Sequence, residues 1–182
     1  MRILSLDSGL RDCGVALYDE STLSECALVR SPVRKDRDAV AWNAMAETVV
    51  NWTLEQGDPP DVLVYEMMEA YESNSAAKNN QILQLAGVLG ATCREFSLVG
   101  GTQFIGYLPK QWKGNIKKDP HHRRITGAYS KATGKFRPGI LTEAELEIYA
   151  AARDGVPDGL RHNILDGIGI GLYHVRRGPI WR

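Results

Sequence analysis

Three carboxylates stand where runs of apolar residues end or are interrupted, far apart along the chain. Asp7 closes Ile3-Leu4-Ser5-Leu6, Glu66 closes Val62-Leu63-Val64-Tyr65, and Asp166 interrupts the mostly apolar stretch from His162 to Gly171. A carboxylate at the end of a buried strand is costly unless it is paired, hydrogen-bonded or bound to a metal. Three brought to one point would repel, since two unit charges roughly 4 Å apart cost about 4 kcal/mol at an effective dielectric of about 20. A divalent cation is the simplest physical reason for them to converge.

The elements that would hold these acids follow from periodicity. Ile3–Leu6, Gly14–Tyr18 and Glu25–Val29 are short strand-like runs separated by Asp7-Ser8-Gly9 and Asp19-Glu20-Ser21, a spacing that predicts two consecutive hairpins. From Asp38 to Gln56, Trp42, Met45, Val49 and Thr53 recur at helical spacing, with Gly57 and Pro59-Pro60 as stop signals. Val62–Tyr65 reads as a buried strand. Ser75 caps a long helix running towards Phe96, Thr102–Leu108 forms a fifth strand, and Thr142 caps a helix over Glu143–Arg153. A last helix carries Asp166 and ends near Arg176-Arg177-Gly178-Pro179. The order β-β-β-α-β-α-β-α predicts an α/β fold with a five-stranded mixed sheet: three antiparallel strands, then two helix-linked strands parallel to the first, flanked by helices. Strands one and four would then end side by side, bringing Asp7 to Glu66, and a C-terminal helix crossing the sheet could deliver Asp166. The stretch Gly127–Asp158, which contains the predicted helix over Glu143–Arg153, has no assigned role.

A length of 182 residues fits one domain spanning 1–182, and 43% hydrophobic with 24% charged residues is ordinary for a soluble globular protein. No apolar run approaches the roughly 20 residues of a membrane helix. The N-terminus turns polar too early for a signal peptide. Cys13, Cys26 and Cys93 are odd in number and lack a CxxC pair, so reduced thiols in a cytoplasmic protein are expected. The net charge of zero hides a segregation: Lys110–Arg137 holds nine basic residues against Asp119 alone, a local charge of +8 balanced by −8 elsewhere. Such a strip suggests a polyanion bound on one face. His121 and His122 belong to that strip and are read as binding no metal.

The sequence resembles the RuvC-type Holliday-junction resolvases of the RNase H-like (retroviral-integrase-like) nuclease superfamily. The resemblance rests on Leu4-Ser5-Leu6-Asp7-Ser8-Gly9 with Gly14-Val15-Ala16, on Val64-Tyr65-Glu66, and on the stretch from Asn74 to Ala91, which is similar to the family's long second helix. It continues in Leu108-Pro109 with Trp112-Lys113-Gly114 and in Asp166-Gly167. It implies an RNase H-like fold and a structure-selective endodeoxyribonuclease, bacterial or phage-encoded, that resolves Holliday junctions and related branched DNA by paired phosphodiester hydrolysis. Asp7, Glu66 and Asp166 match the family's catalytic metal-binding acids. A fourth ligand one helical turn before the last acid falls to His162, the better ligand chemically, or to the neutral Asn163; both can share the face of Asp166. The implied cofactor is Mg²⁺ or Mn²⁺, two ions per site, which suits hard oxygen ligands. Lys113, Lys117 and Lys118 match the family's phosphate-contacting lysines, and Lys110, Trp112, Arg123 and Arg124 complete the expected DNA-binding set, Trp112 being at least as well suited to the core.

The helix from Ser75 is apolar nearly all round, and Gly87 and Gly90 would admit a close backbone, so a homodimer across it is expected. Two other functions are compatible with parts of the pattern. An Asp-x-Gly turn also opens sugar kinases and actin-like ATPases, although this chain is short for two lobes and lacks a second phosphate loop. Asn163 would also suit a catalytically inactive junction-binding relative.

Overall fold

β1 (Arg2–Asp7), β2 (Asp12–Asp19) and β3 (Thr22–Arg30) form an antiparallel meander, and β4 (Val62–Glu66) and β5 (Gln103–Tyr107) add parallel strands, in the order β3-β2-β1-β4-β5. This is the topology expected from the sequence. The structure is a computed structural model that describes residues 1–33, 38–69, 75–130 and 132–176. Asn74, Lys131 and the stop signal Arg177-Gly178-Pro179 lie outside the described residues.

β1 runs through the middle of the sheet, which is why its sequence is almost continuously apolar. Its side chains alternate between two cores. Ile3 joins Ala16, Tyr18, Val62, Val64, Ile164 and Ile168 on one face, while Leu4 and Leu6 join Val15, Leu17, Leu63, Met45, Val49 and Phe96 on the other.

The second face is covered by α1 (Ala39–Glu55) and α2 (Ala76–Val99). Asp38 caps α1 by accepting from the Val40 amide at 3.0 Å, and Ser75 caps α2 by accepting from the Lys78 amide at 3.3 Å. The space at Gly87 is filled by the Trp42 indole, 2.5 Å from where a Cβ would sit, and not by a backbone as its small size suggested. Gly90 faces open space. Only Val88, Thr92 and Phe96 of α2 are buried, leaving Leu83 (65%) and Leu98 (69%) exposed. Contrary to the sequence expectation, α2 is long and apolar enough by length and composition to cross a membrane. Asn79, Asn80, Gln81 and Gln84 interrupt that character, and the helix packs along α1.

The first face is covered by α5 (Glu143–Arg153) and α6 (Arg161–Val175), which follows a 3-10 turn at Asp158–Leu160. α6 lies directly on the sheet because Gly14 and Gly167 have no side chains: a Cβ on Gly14 would stand 1.7 Å from the Asn163 carbonyl oxygen, and one on Gly167 would stand 2.8 Å from that of Gly14. Ser5 Oγ donates to the Gly167 carbonyl at 2.8 Å and Tyr18 OH donates to that of Ile168 at 2.7 Å, so the turns bearing Asp166 are fixed to β1 and β2. The buried carboxylate of Glu145 fastens α5 to its neighbours, accepting from the Leu23 amide at 3.0 Å, the Thr142 amide at 2.8 Å and Arg176 Nη2 at 2.8 Å.

Between β5 and α5 lie α3 (Pro109–Trp112), α4 (Lys118–Thr126) and a small hairpin of β6 (Ala128–Tyr129) and β7 (Phe136–Arg137). All four went unassigned in the sequence. α4 reads Lys-Asp-Pro-His-His-Arg-Arg-Ile-Thr and buries only His121 and Ile125, so it carries no usable apolar period. Cys13, Cys26 and Cys93 are free thiols, with burial pushing Cys13 and Cys26 up to about 12.

Candidate active site

Leu6 pairs with Tyr65 in parallel register, so Asp7 and Glu66, the next residues, finish neighbouring strands at the same edge of the sheet. On β2, Gly14 pairs with Asp7 and also receives the Asn163–Gly167 turn of α6, which brings Asp166 over this edge. Three elements thus deliver three acids to one region, and they feel one another. The Asp7 carboxyl is held well above its ordinary range, first by burial and then by the charges of Asp166 and Glu66, with Lys118 and Lys113 opposing. Burial also acts to raise Asp166, but hydrogen bonds from His122 and Lys118 and their charges outweigh it and bring it down to about 2.

Each of the outer acids is held by a cation and a ring nitrogen. Glu66 Oε2 accepts from Trp112 Nε1 at 3.0 Å and from Lys113 Nζ at 3.1 Å. Asp166 Oδ2 pairs with Lys118 Nζ at 2.8 Å, and its Oδ1 meets His122 Nε2 at 2.9 Å. Among the described residues, no three His, Cys, Asp or Glu side chains are set to ligate one ion as they stand. The two ammonium groups are on the outer carboxylates instead. The donor chemistry nevertheless fits a hard cation: three carboxylates at one edge, with Asp7 raised because positive charge there is insufficient to offset burial and two neighbouring acids.

The other expected residues fall into distinct places. His162 is half-buried near Asp166, and its pKa is lowered, first by burial and then by Lys118. The hydrogen bond to Asp166 that its position invites is made by His122. Asn163 lines an open cleft of about 840 Å³ with Asp7, Ser8, Arg11, Gln84 and Lys118. Lys110, Lys117, Arg123 and Arg124 are exposed. Trp112 takes the core alternative, which removes it from the expected DNA-binding set. Its ring is fully buried, packed edge-on to His121 at 5.1 Å, and its N–H is committed to Glu66, so it positions a carboxylate and has no face for a DNA base. His122, a member of the basic strip, faces Asp166 from α4, a contact the sequence reading did not include. The available signal was Lys118 and His122 four residues apart, which puts both on one helical face once α4 is known.

No protein-family model and no curated protein matches the sequence. Solved structures do. Thermus thermophilus RuvC in complex with a Holliday junction substrate superposes with a TM-score of 0.59 at 17% identity, covering 96% of this chain and 92% of that one. The yeast mitochondrial Holliday junction resolvase Ydc2 gives 0.58 at 13% identity, covering 96% and 77%. The five-stranded mixed sheet, its flanking helices and these superpositions establish that this chain has the RNase H-like fold in the form found in RuvC-type resolvases.

Proposed function

We propose that the chain is a divalent-metal-dependent endonuclease that resolves Holliday junctions and related branched DNA. The observation that carries this reading is the meeting of Asp7, Glu66 and Asp166 at one sheet edge, within a fold shared with RuvC. Asp7, Glu66 and Asp166 would hold Mg²⁺ or Mn²⁺, with His162, Asn163 and His122 as the adjoining donors. Such ions supply charge neutralisation at a phosphodiester and a more acidic bound water. The chain's own residues do the positioning. Trp112 fixes one oxygen of Glu66, and His122 fixes one of Asp166. Lys113, stacked 4.8 Å over the Trp112 ring, and Lys118 bring ammonium groups to the same edge, where a scissile phosphate would lie. The test is a four-way junction incubated with Mg²⁺, Mn²⁺, Ca²⁺ or EDTA. Paired nicks in Mg²⁺ or Mn²⁺ with binding alone in Ca²⁺ are expected; no cutting of any branched DNA in either metal would overturn the reading.

The basic strip divides in two. Lys113 and Lys118 belong to the site, whereas Lys110, Lys117, Arg123 and Arg124 lie outside it, exposed and free to meet phosphates. Replacing Lys117, Arg123 and Arg124 by Ala should flatten the slope of log K against log salt by about one for each phosphate no longer neutralised. Junction binding measured across a salt series checks this, and an unchanged slope would remove them from the interface.

We also infer a two-fold dimer across the outward face of α2, where Leu83 is exposed and Gly90 stands open. A two-fold axis suits two symmetric nicks. Leu83→Arg should convert the dimer to monomer in light scattering and uncouple the paired nicks into single ones.

A further inference from the structure

The hairpin after α4 presents two aromatic rings to solvent. Tyr129 on β6 is 75% exposed and Phe136 on β7 is 48% exposed, yet the two pack on each other with centroids 5.5 Å apart. Exposed rings of this size, paired on a protrusion, have no part in either hydrophobic core. Their surroundings are cationic. From Pro120 to Thr142 the sequence contains Arg123, Arg124, Lys131, Lys135 and Arg137 and no acid. Arg123 and Arg137 line an open recess of about 630 Å³ together with Ala128, Tyr129 and Ser130.

The hairpin is also tied to the candidate active site. Its root is tight: Gly139 lies against the Ile125 carbonyl, where a Cβ would stand 2.2 Å away, and Gly127 at φ +85° lets the Phe136 ring edge rest on it. Ile140 and Leu141 amides donate to the Ile125 carbonyl at 3.0 and 3.1 Å. The same helix carries Lys118 and His122 onto Asp166. One turn, roughly 6 Å of helix axis, separates His122 from Thr126 at the hairpin root.

We propose that this hairpin is a base-stacking clamp: Tyr129 and Phe136 stack on nucleobases of unpaired DNA beside the candidate active site, while Arg123, Lys135 and Arg137 hold the flanking phosphates. The occupant follows from two properties present together. Rings offer a π-face to any base without reading sequence, and the acid-free cationic border matches a phosphate backbone. In intact duplex the bases are stacked on one another, so the rings have purchase only where a base is free, as at a branch point. The proposal specifies the substrate class of the nuclease reading and rests on it for the reaction, but the clamp is assayed by binding alone.

The test uses the full chain without metal, with three fluorescein-labelled probes: a single-stranded oligothymidine, a four-way junction and a duplex of matched length. Tyr129→Ala with Phe136→Ala should weaken binding to the single strand about tenfold or more, weaken the junction less, and leave the duplex within about twofold. Tyr129→Trp should retain wild-type affinity, and melting curves confirm that each variant folds. Should the double variant unfold, Tyr129→Leu alone must show the same selective loss. An equal loss on all three probes, or none on any, overturns the clamp. A selective loss in a protein that cuts no DNA supports the clamp and removes the nuclease reading instead. Unchanged DNA binding with retention on anionic vesicles, or capture of a protein partner only, also overturns it.

Discussion

Asp7→Asn should lose junction cleavage by about 10²–10³-fold or more and at the same time make the metal-free protein more stable. The first effect follows from removing a charged donor at a site where charge stabilisation does most of the work; deletion of a single stabilising group in other enzymes already costs about that much. The second follows from the environment of the carboxyl. Its pKa is raised by burial and by Asp166 and Glu66, so the fold favours the protonated form. The contribution of such a group is fully present below its unfolded pKa and is lost as pH rises through the folded value. Above the unfolded pKa the metal-free wild type is therefore destabilised by this carboxyl, whereas Asn, which does not titrate, carries no such penalty. A gain of about 1 kcal/mol would appear as roughly 2–4 °C in Tm for a chain of this length. Added Mg²⁺ should raise the Tm of wild type and not that of Asp7→Asn. Melting curves with and without metal, beside a cleavage assay, check both halves, and a variant less stable than wild type in EDTA would contradict the electrostatic description.

Glu145→Ala should destabilise the protein by about 3–5 kcal/mol, the range for breaking a buried ion pair by deleting one partner. Its carboxylate is the meeting point of α5, β3 and the end of α6, and its loss leaves the Leu23 amide and Arg176 without their acceptor. Burial acts to raise its pKa, but hydrogen bonds from Leu23, Thr142 and Arg176 prevail and lower it. The stabilisation is therefore present above the unfolded value, near about 4.3, and disappears as pH falls through the lower folded value. Urea unfolding at pH 7 and at acidic pH distinguishes this from a packing effect. The difference between wild type and Glu145→Ala should shrink in acid, and a constant difference would mean the charge is immaterial.

The sheet was legible because its signals are local and redundant. Continuous apolar runs marked β1 and β4, turn residues marked the meander, and Asp38, Ser75 and Thr142 marked helix starts that the structure retains. Once β1 and β4 are parallel neighbours, Asp7 and Glu66 follow from strand ends alone. The region between β5 and α5 was not legible. α4 is held by two buried side chains and by ion pairs to a residue more than forty positions away, interactions that leave no periodic trace. The same gap hid the contacts of two residues. Trp112 beside lysines suits either DNA or the core until the indole is found beneath α4 on Glu66, and His122 reads as one more member of the basic strip until its helix is placed against α6. Gly87 illustrates a further limit, since a missing side chain announces close approach without naming what approaches.

Crystals grown with Mn²⁺ and measured at its absorption edge address the site itself. The anomalous map should show a peak within about 2.0–2.4 Å of oxygens from Asp7 and from Glu66 or Asp166, with the Lys113 or Lys118 ammonium displaced from the carboxylate it now pairs. Manganese bound only elsewhere, with both lysine pairs intact and the acids unligated, would show that this edge of the sheet is a structural charge network and not a metal centre.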